Sequence, residues 1–199
     1  AYLPFHRNQT SIVFDSRVVP ADTAPDDFDA LLAWAKANPG KFIITSPAGG
    51  GSGSGFIQSL AYAKVTGDDC RAAFTNFSMT KADADAYAAG NCMTPVWNYY
   101  KEILPVSEVT NGNSDTLNLI ANGGGSVGTA WEDMVYDFSN RSLLPPGVRL
   151  ELLKEGEVGG GDGMFLPADG SAPAAGMLFL DYMMSKDAQM EKLKLNGSR

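Results

Sequence analysis

An alternation of apolar strands and helices across residues 10–65 constrains the fold of this chain most. Thr10–Val19 and Lys41–Ser46 are short, rich in β-branched and apolar residues, and typical of buried strands. Phe28–Ala37 and Phe56–Val65 place apolar residues at helical spacing, and turn residues separate most of these elements. Because strands alternate with helices, the pattern predicts an α/β fold with a mixed, mostly parallel sheet flanked by helices.

The remainder of the chain repeats this alternation with shorter elements. We predict helices over Lys81–Ala89, Thr94–Leu104, Asp115–Ala121, Met134–Phe138 and Ala172–Leu193, and strands over Ser126–Ala130, Val148–Lys154 and Met164–Pro167. The glycine-rich stretch 156–163 is predicted to connect two strands. No apolar run in the sequence approaches the roughly 20 residues that a membrane-spanning helix needs.

Charge and residue usage argue against several kinds of ligand. The formal net charge is −8, which argues against nucleic acid because binding there depends on cationic side chains that meet phosphates. His6 is the only histidine in the sequence, and the sequence contains no C-x-x-C pair. We therefore predict no metal site and no cofactor.

Cys70 and Cys92 are the two cysteines of the sequence. A disulfide between them would stabilise the fold by about 3 kcal/mol, because it restricts the unfolded chain. Two free thiols are the alternative. We favour the disulfide, which would place the protein in an oxidising compartment.

The Gly/Ser segment, Gly49–Gly55, lies between a predicted strand and a predicted helix. In open α/β sheets, ligands bind at such turns beyond the carboxyl ends of the strands. Backbone N–H groups at a helix start carry partial positive charge, and glycines let a ligand approach them. The candidate ligand-binding residues are therefore Gly50, Gly51, Ser52, Gly53, Ser54 and Gly55. A flexible surface loop or linker is the alternative.

Trp131 and Glu132 form a second candidate, at the end of a predicted strand. A tryptophan beside acidic residues can wall a pocket and hold a cation or hydroxyl groups. Equally, Trp131 can fill the core while Glu132 and Asp133 stabilise the first turn of a helix. Asp162 is a weaker candidate. These acids would suit a cationic solute, whereas the N–H groups of the Gly/Ser segment would suit an anion or a sugar, so the ligand stays open.

The sequence indicates a protein that is not an enzyme and has no catalytic residues. The window Gly51–Gly55 fits the G-x-S-x-G pattern of a nucleophile elbow only as part of a glycine run. His6, the one candidate base, precedes the first predicted strand and has no signature around it. The alternative is an α/β hydrolase or transferase that uses Ser52 or Ser54 as its nucleophile. A scaffold that contacts a protein partner is a third hypothesis.

Several stretches in a fixed order resemble a known family. They are Thr10–Val18, Asp27–Pro39, Pro47–Phe56, Gly128–Trp131, Glu157–Pro167 and Ala172–Gln189. Together they look like the periplasmic solute-binding proteins of ABC importers, in particular the spermidine/putrescine, thiamine and iron-type group. The resemblance covers nearly the whole chain.

This resemblance implies a periplasmic-binding-protein-like lobe from a two-lobed protein, whose crossing strands let the lobes close on a ligand. It divides the chain into a crossing strand at 1–19, a ligand-binding α/β lobe at 20–157, and a return strand and helix at 158–199 that belong to or lean on the first lobe. Arg7 and Asn8 would lie near the hinge and contact the ligand. Since family members have a lobe before the first crossing strand, we expect this chain to be a fragment.

The resemblance also implies a function, which is substrate binding for an ABC-type importer. The chain would help capture a small polar solute in the cleft between lobes and deliver it to the transmembrane subunits of a permease. Its partners would then be the solute, the permease and the missing first lobe. The expected location is the periplasm or the cell exterior.

Overall fold

The computed structural model describes residues 3–197, with Asn196 described by its backbone alone. The strands are β1 (Leu3–Asp15), β2 (Phe42–Thr45), β3 (Ser107–Thr110), β4 (Val127–Trp131), β5 (Val148–Glu151) and β6 (Gly159–Met164). The helices are α1 (Phe28–Ala37), α2 (Gly51–Lys64), α3 (Asp68–Arg71), α4 (Lys81–Ala89), α5 (Thr94–Ile103), α6 (Asn113–Ala121), α7 (Glu132–Asn140), α8 (Pro173–Met184) and α9 (Lys186–Asn196). The outermost residues of the predicted crossing and return segments, at 1–2 and 198–199, lie outside the described residues.

The described strands follow the order β3-β2-β4-β1-β5, and β6 pairs with β1 off this path. β2 pairs in parallel with β3 and β4, whereas β1 pairs antiparallel with β4, β5 and β6. All of these strands except β1 therefore point the same way. The predicted mixed, mostly parallel sheet flanked by helices is confirmed.

The two halves of strand β1 pair with different strands. Its second half, from Thr10, pairs with β4 and β5, whereas Leu3–Gln9 pairs with β6 in a two-stranded segment that we call the β1/β6 ribbon. At the junction, the backbone N–H and the hydroxyl of Thr10 both donate to the carbonyl of Val158, at 3.2 and 2.5 Å. The predicted strand Thr10–Val19 thus begins earlier than expected, and it ends at Asp15.

Apolar clusters pack on both faces of the main sheet. Alternate residues of β1 point to opposite faces, so Ile12 and Phe14 join one cluster and Val13 joins the other. The first cluster includes Phe28 of α1 and Phe56 of α2, whose ring centroids lie 5.5 Å apart. The second lies under α6 and α7. The sheet is therefore the middle layer of three.

The Gly/Ser segment is largely helical, and this corrects the sequence prediction of a loop before a helix at Phe56. Helix α2 begins at Gly51. A Cβ atom at Gly53 would lie 1.8 Å from the carbonyl oxygen of Thr45, and one at Gly55 would lie 2.4 Å from the Thr10 side chain. The glycines allow the first turns of α2 to pack directly on the strand ends, and this tertiary contact outweighs their low helix propensity.

Several other segments differ from the prediction. The stretch 159–163, predicted as a connection, lies within strand β6, where a Cβ atom at Gly161 would lie 2.7 Å from the carbonyl oxygen of His6. The single predicted helix Ala172–Leu193 is two helices, because Ser185 has extended backbone angles and its hydroxyl caps the N–H of Ala188. Upstream, the polar edge strand β3 was not predicted at all.

Cys70 and Cys92 form a disulfide, with Cα atoms 5.5 Å apart. It joins the start of the α3–α4 region to the turn before α5. No residue of α3 or α4 is buried, so this region has little core of its own. The disulfide is therefore its main covalent constraint.

We expect the double variant Cys70→Ser/Cys92→Ser to lower the free energy of unfolding by about 3 kcal/mol, because the bridge closes a loop in the unfolded chain. Denaturant titration followed by circular dichroism measures this loss. Reductant should destabilise the parent equally and leave the double variant unchanged. Equal stability of the parent and the variant would contradict the prediction.

Glu157 carries a buried carboxyl group beside the Thr10–Val158 junction. Its Oε2 is a buried side-chain oxygen that makes no hydrogen bond within residues 3–197. Burial raises the pKa of Glu157 from 4.5 to about 8, and backbone N–H groups of Leu153 and Ile12 only partly oppose that shift. The folded state therefore keeps this proton at pH values where the unfolded chain has lost it.

Stability should consequently fall as the pH rises between 4.5 and about 8. Below this window the group is protonated in both states and contributes no penalty, and within it the loss approaches about 1.4 kcal/mol per pH unit. Unfolding free energies across the window measure the slope. Glu157→Gln should remove it, whereas Glu151→Gln, which removes an exposed carboxyl nearby, should retain it. An identical slope in the parent and Glu157→Gln would refute the assignment.

Candidate functional site

The candidate site lies where the carboxyl ends of β2, β3 and β4 meet the N-termini of α2, α6 and α7. Parallel neighbouring strands end at the same edge of a sheet, so the helices that follow them begin close together. This edge is where ligands bind in open α/β sheets. The Gly/Ser segment and Trp131 both lie at it.

A chain of buried hydroxyl groups supports this edge. The Ser52 hydroxyl bonds to the Thr45 hydroxyl at 3.0 Å, and Thr45 bonds to Thr116 at 2.7 Å. Thr116 bonds in turn to Thr110 at 2.6 Å. The Thr129 hydroxyl accepts from the Thr45 backbone N–H at 3.1 Å. Each hydroxyl group forms a hydrogen bond with another member in largely buried surroundings. The network therefore fixes the relative positions of the ends of β2, β3 and β4.

Asn113 holds the start of α2 from the neighbouring helix α6. Its Oδ1 accepts from the Ser52 backbone N–H at 3.1 Å and from the Ser52 hydroxyl at 2.8 Å. The N-cap residue of α2 is Gly50, which has no side chain to cap with, so Asn113 supplies the missing acceptor. A Cβ atom at Gly50 would lie 2.6 Å from this oxygen, which leaves room only for glycine there.

The residues of the Gly/Ser segment divide by exposure. Gly51 is exposed, whereas Gly50 and Ser54 are half-buried. Ser52, Gly53 and Gly55 are buried against the strand ends. The predicted set therefore has an outward group (Gly50, Gly51 and Ser54) and an inward group (Ser52, Gly53 and Gly55).

The half-buried indole ring of Trp131 lies between the Gly/Ser segment and the β1/β6 ribbon. A Cβ atom at Gly51 would lie 3.0 Å from Trp131 Nε1, and one at Gly160 would lie 3.3 Å from Cη2. Because neither glycine has a side chain, the indole ring fits between them. Trp131 connects the two parts of the predicted site.

Arg7, Asn8 and Glu132 lie on the other side, around a cavity of about 670 Å³ bordered by the β1/β6 ribbon. The Asn8 amide donates to Asp133 Oδ1 at 2.7 Å, and the same oxygen accepts from the Met134 N–H at 2.7 Å. Asp133, within the first turn of α7, therefore satisfies one N–H group of that turn and ties the helix to β1. His6 Nε2 lies 3.9 Å from Asp133 Oδ2.

Sequence reasoning missed Asn113 and the threonines of the hydroxyl network. The helix predicted over Asp115–Ala121 starts two residues earlier, at Asn113, and its N-cap is Gly112. The available signal was an asparagine three residues after the β-branched pair Val109-Thr110. Its partner lies 61 residues away in sequence, which local patterns do not reveal.

Within residues 3–197, no group of three or more His, Cys, Asp and Glu side chains is arranged to hold a metal ion. None of the helices in the same range combines the length and apolar character needed to cross a membrane.

Comparison with known proteins identifies a family. A model of the bacterial extracellular solute-binding proteins matches residues 1–199. Similar solved structures include a two-component system protein (TM-score 0.70, 14% identity), a periplasmic thiamin-binding protein (0.61, 15%) and the spermidine/putrescine ABC transporter substrate-binding protein PotD from Streptococcus pneumoniae (0.67, 12%). Each alignment covers 98% of this chain and 54%, 51% and 51% of those chains, so it spans about half their length. No curated protein matches significantly.

We expect Asn113→Ala to destabilise the chain by about 1–3 kcal/mol, because it leaves the buried Ser52 N–H and hydroxyl with fewer partners. Thermal or denaturant unfolding measures the loss. Asn118→Ala, an exposed change on the same helix, should alter stability by less than about 0.5 kcal/mol. Similar effects of the two variants would count against the capping role of Asn113.

Proposed function

We propose, because the chain belongs to the bacterial extracellular solute-binding protein family, that it forms one ligand-binding lobe of an ABC importer's substrate-binding component. The protein would capture a small polar solute between its lobes and deliver it to the permease, in the periplasm or at the cell exterior. The observation that carries this proposal is the strand-end edge, where Gly51 and Trp131 leave backbone and indole surface partly uncovered.

We further propose that residues 20–157 form the lobe and that 1–19 and 158–199 lead to and from the missing first lobe. The antiparallel β1/β6 ribbon supports this division, because it brings both segments together beside the site. Helix α8 supports it too. Its large apolar side chains Met177, Leu178, Phe179 and Tyr182 are all more than half exposed. A further lobe would cover such a surface.

The outward residues at the edge would contact the solute. Gly50 and Gly51 would offer backbone groups, Ser54 a hydroxyl and Trp131 an aromatic wall. Arg7, Asn8 and Glu132 would contribute from the 670 Å³ cavity beside the ribbon. The inward residues of the Gly/Ser segment would act indirectly, by positioning the start of α2.

A binding role without catalysis agrees with the surroundings of Ser52. Its hydroxyl bonds to Thr45 Oγ1 and Asn113 Oδ1, and neither a threonine nor an asparagine acts as a general base for a serine nucleophile. The family is one of solute-binding proteins, and two of the structural relatives are binding proteins in name, which gives the hydrolase or transferase alternative no support. We therefore favour binding with release of an unchanged solute.

The proposal is tested by screening the chain against putrescine, spermidine and thiamine, together with a general panel of amino acids, sugars and oxyanions. A binding solute should raise the melting temperature, and mass spectrometry should recover it unchanged. Trp131→Ala should weaken its binding about tenfold or more, because an aromatic wall is lost. Tyr62→Ala, which removes an exposed aromatic residue elsewhere on α2, is the matched control.

Two results would overturn the proposal. One is the absence of any thermal shift across the whole panel, which would favour a scaffold. The other is conversion of a solute to a product that depends on Ser52 or Ser54, which would favour an enzyme.

A further inference from the structure

A second large cavity lies at the pole of the lobe opposite the candidate site. It is formed where β1 ends and β5 begins, together with the connection between α7 and β5. Its volume is about 740 Å³, and the apolar residues of 143–146 form part of its wall. Neither the Gly/Ser segment nor Trp131 borders it.

The charge of this cavity is opposite to that of the protein. The chain carries a formal net charge of −8, yet the described residues that border the cavity include Arg17 and Arg149 and no aspartate or glutamate. The cavity beside the ribbon, by contrast, is bordered by Glu132 and Asp162. The two guanidinium groups, with no carboxylate among the described bordering residues, favour anions, and Asp15, which pairs with Arg17 without bordering the cavity, offsets one of the two charges.

Arg17 is held in place by one edge of its guanidinium group. Its Nε and Nη2 donate to the two carboxylate oxygens of Asp15, at 2.9 and 2.6 Å. These hydrogen bonds hold the pKa of Asp15 below its usual range, so the partner stays ionised. Gly147 packs against the stem of Arg17, where a Cβ atom would lie 2.5 Å from Cγ. Within residues 3–197, Nη1 makes no hydrogen bond.

Arg149 is fixed in a similar way by backbone carbonyl groups. Its Nη1 donates to the carbonyls of Pro146 and Val148, at 2.7 and 2.8 Å. Its Nε and Nη2 donate to none of the described residues, so their edge remains available. Guanidinium groups oriented in advance bind oxyanions in a paired, planar geometry at small entropic cost.

Two serines complete the donor set. Ser139 and Ser142 border the cavity, and the Ser142 N–H donates to the Ser139 carbonyl at 3.0 Å. Ser142 has a φ of 56°, which makes it the only described residue other than glycine with positive φ. Such conformations are unfavourable for residues with a side chain, and they concentrate at functional sites.

We propose that this pole of the lobe binds a small oxyanion, such as a phosphate or carboxylate group, between Arg17 and Arg149. Ser139 and Ser142 supply further donors. The site is separate from the solute site and does not depend on the proposed function.

Titration of the 199-residue chain with inorganic phosphate, at constant ionic strength and with chloride as the reference anion, tests the proposal. We expect saturable binding by calorimetry. Backbone amide resonances of Arg17, residues 139–144 and residues 147–149 should shift in the parent chain, which needs no variant. Arg149→Gln should weaken phosphate binding about tenfold or more, because a charged donor pair is lost.

Arg141→Gln is the matched control. It removes the same charge from the same pole, but Arg141 is paired with Asp137 and does not border the cavity. The phosphate affinity of the Arg141→Gln variant should equal that of the parent. The proposal is overturned if phosphate binding does not saturate, if the shifted amides lie elsewhere, or if the two variants lose affinity equally.

Discussion

The close contact between the first turns of α2 and the end of β2 determines the arrangement of the candidate site. Gly53 lies so near the Thr45 carbonyl that only a residue without a side chain fits. This contact lets the Ser52 hydroxyl reach the buried network, and it places the N-terminus of α2 beside Asn113. A longer side chain at Gly53 would separate helix from strand and disconnect the hydroxyl groups that hold three strand ends together.

The sequence was sufficient to predict the bounds of elements whose ends are fixed by residues close to them in sequence. Helices Phe28–Ala37 and Lys81–Ala89 match the prediction because their caps are close in sequence: Asp27 caps the first, and Thr80 with Asp83 forms a capping box for the second. The α/β class followed equally well from the alternation of strands and helices. The disulfide was favoured on weaker grounds and is present.

Where the prediction was wrong, distant contacts determine the structure. Glycine is a poor helix and strand former, yet Gly51–Gly55 is helical and 159–163 lies within a strand, since each packs closely on another part of the backbone. The same reason explains why Asn113 was missed. The candidate site residues were predicted from their place between strands and helices, and the structure adds which of them face outward.

The use of glycine at the strand-end edge also limits how this surface can change during evolution. Gly50 is confined by Asn113, and Gly53 by Thr45, so neither position can acquire a side chain without loss of packing. The chemistry that the start of α2 offers is therefore mostly that of the peptide bond, which mutation does not alter. Related proteins that keep this contact can diversify their ligands chiefly at neighbouring positions such as Ser54 and Trp131, and on whatever surface closes against them.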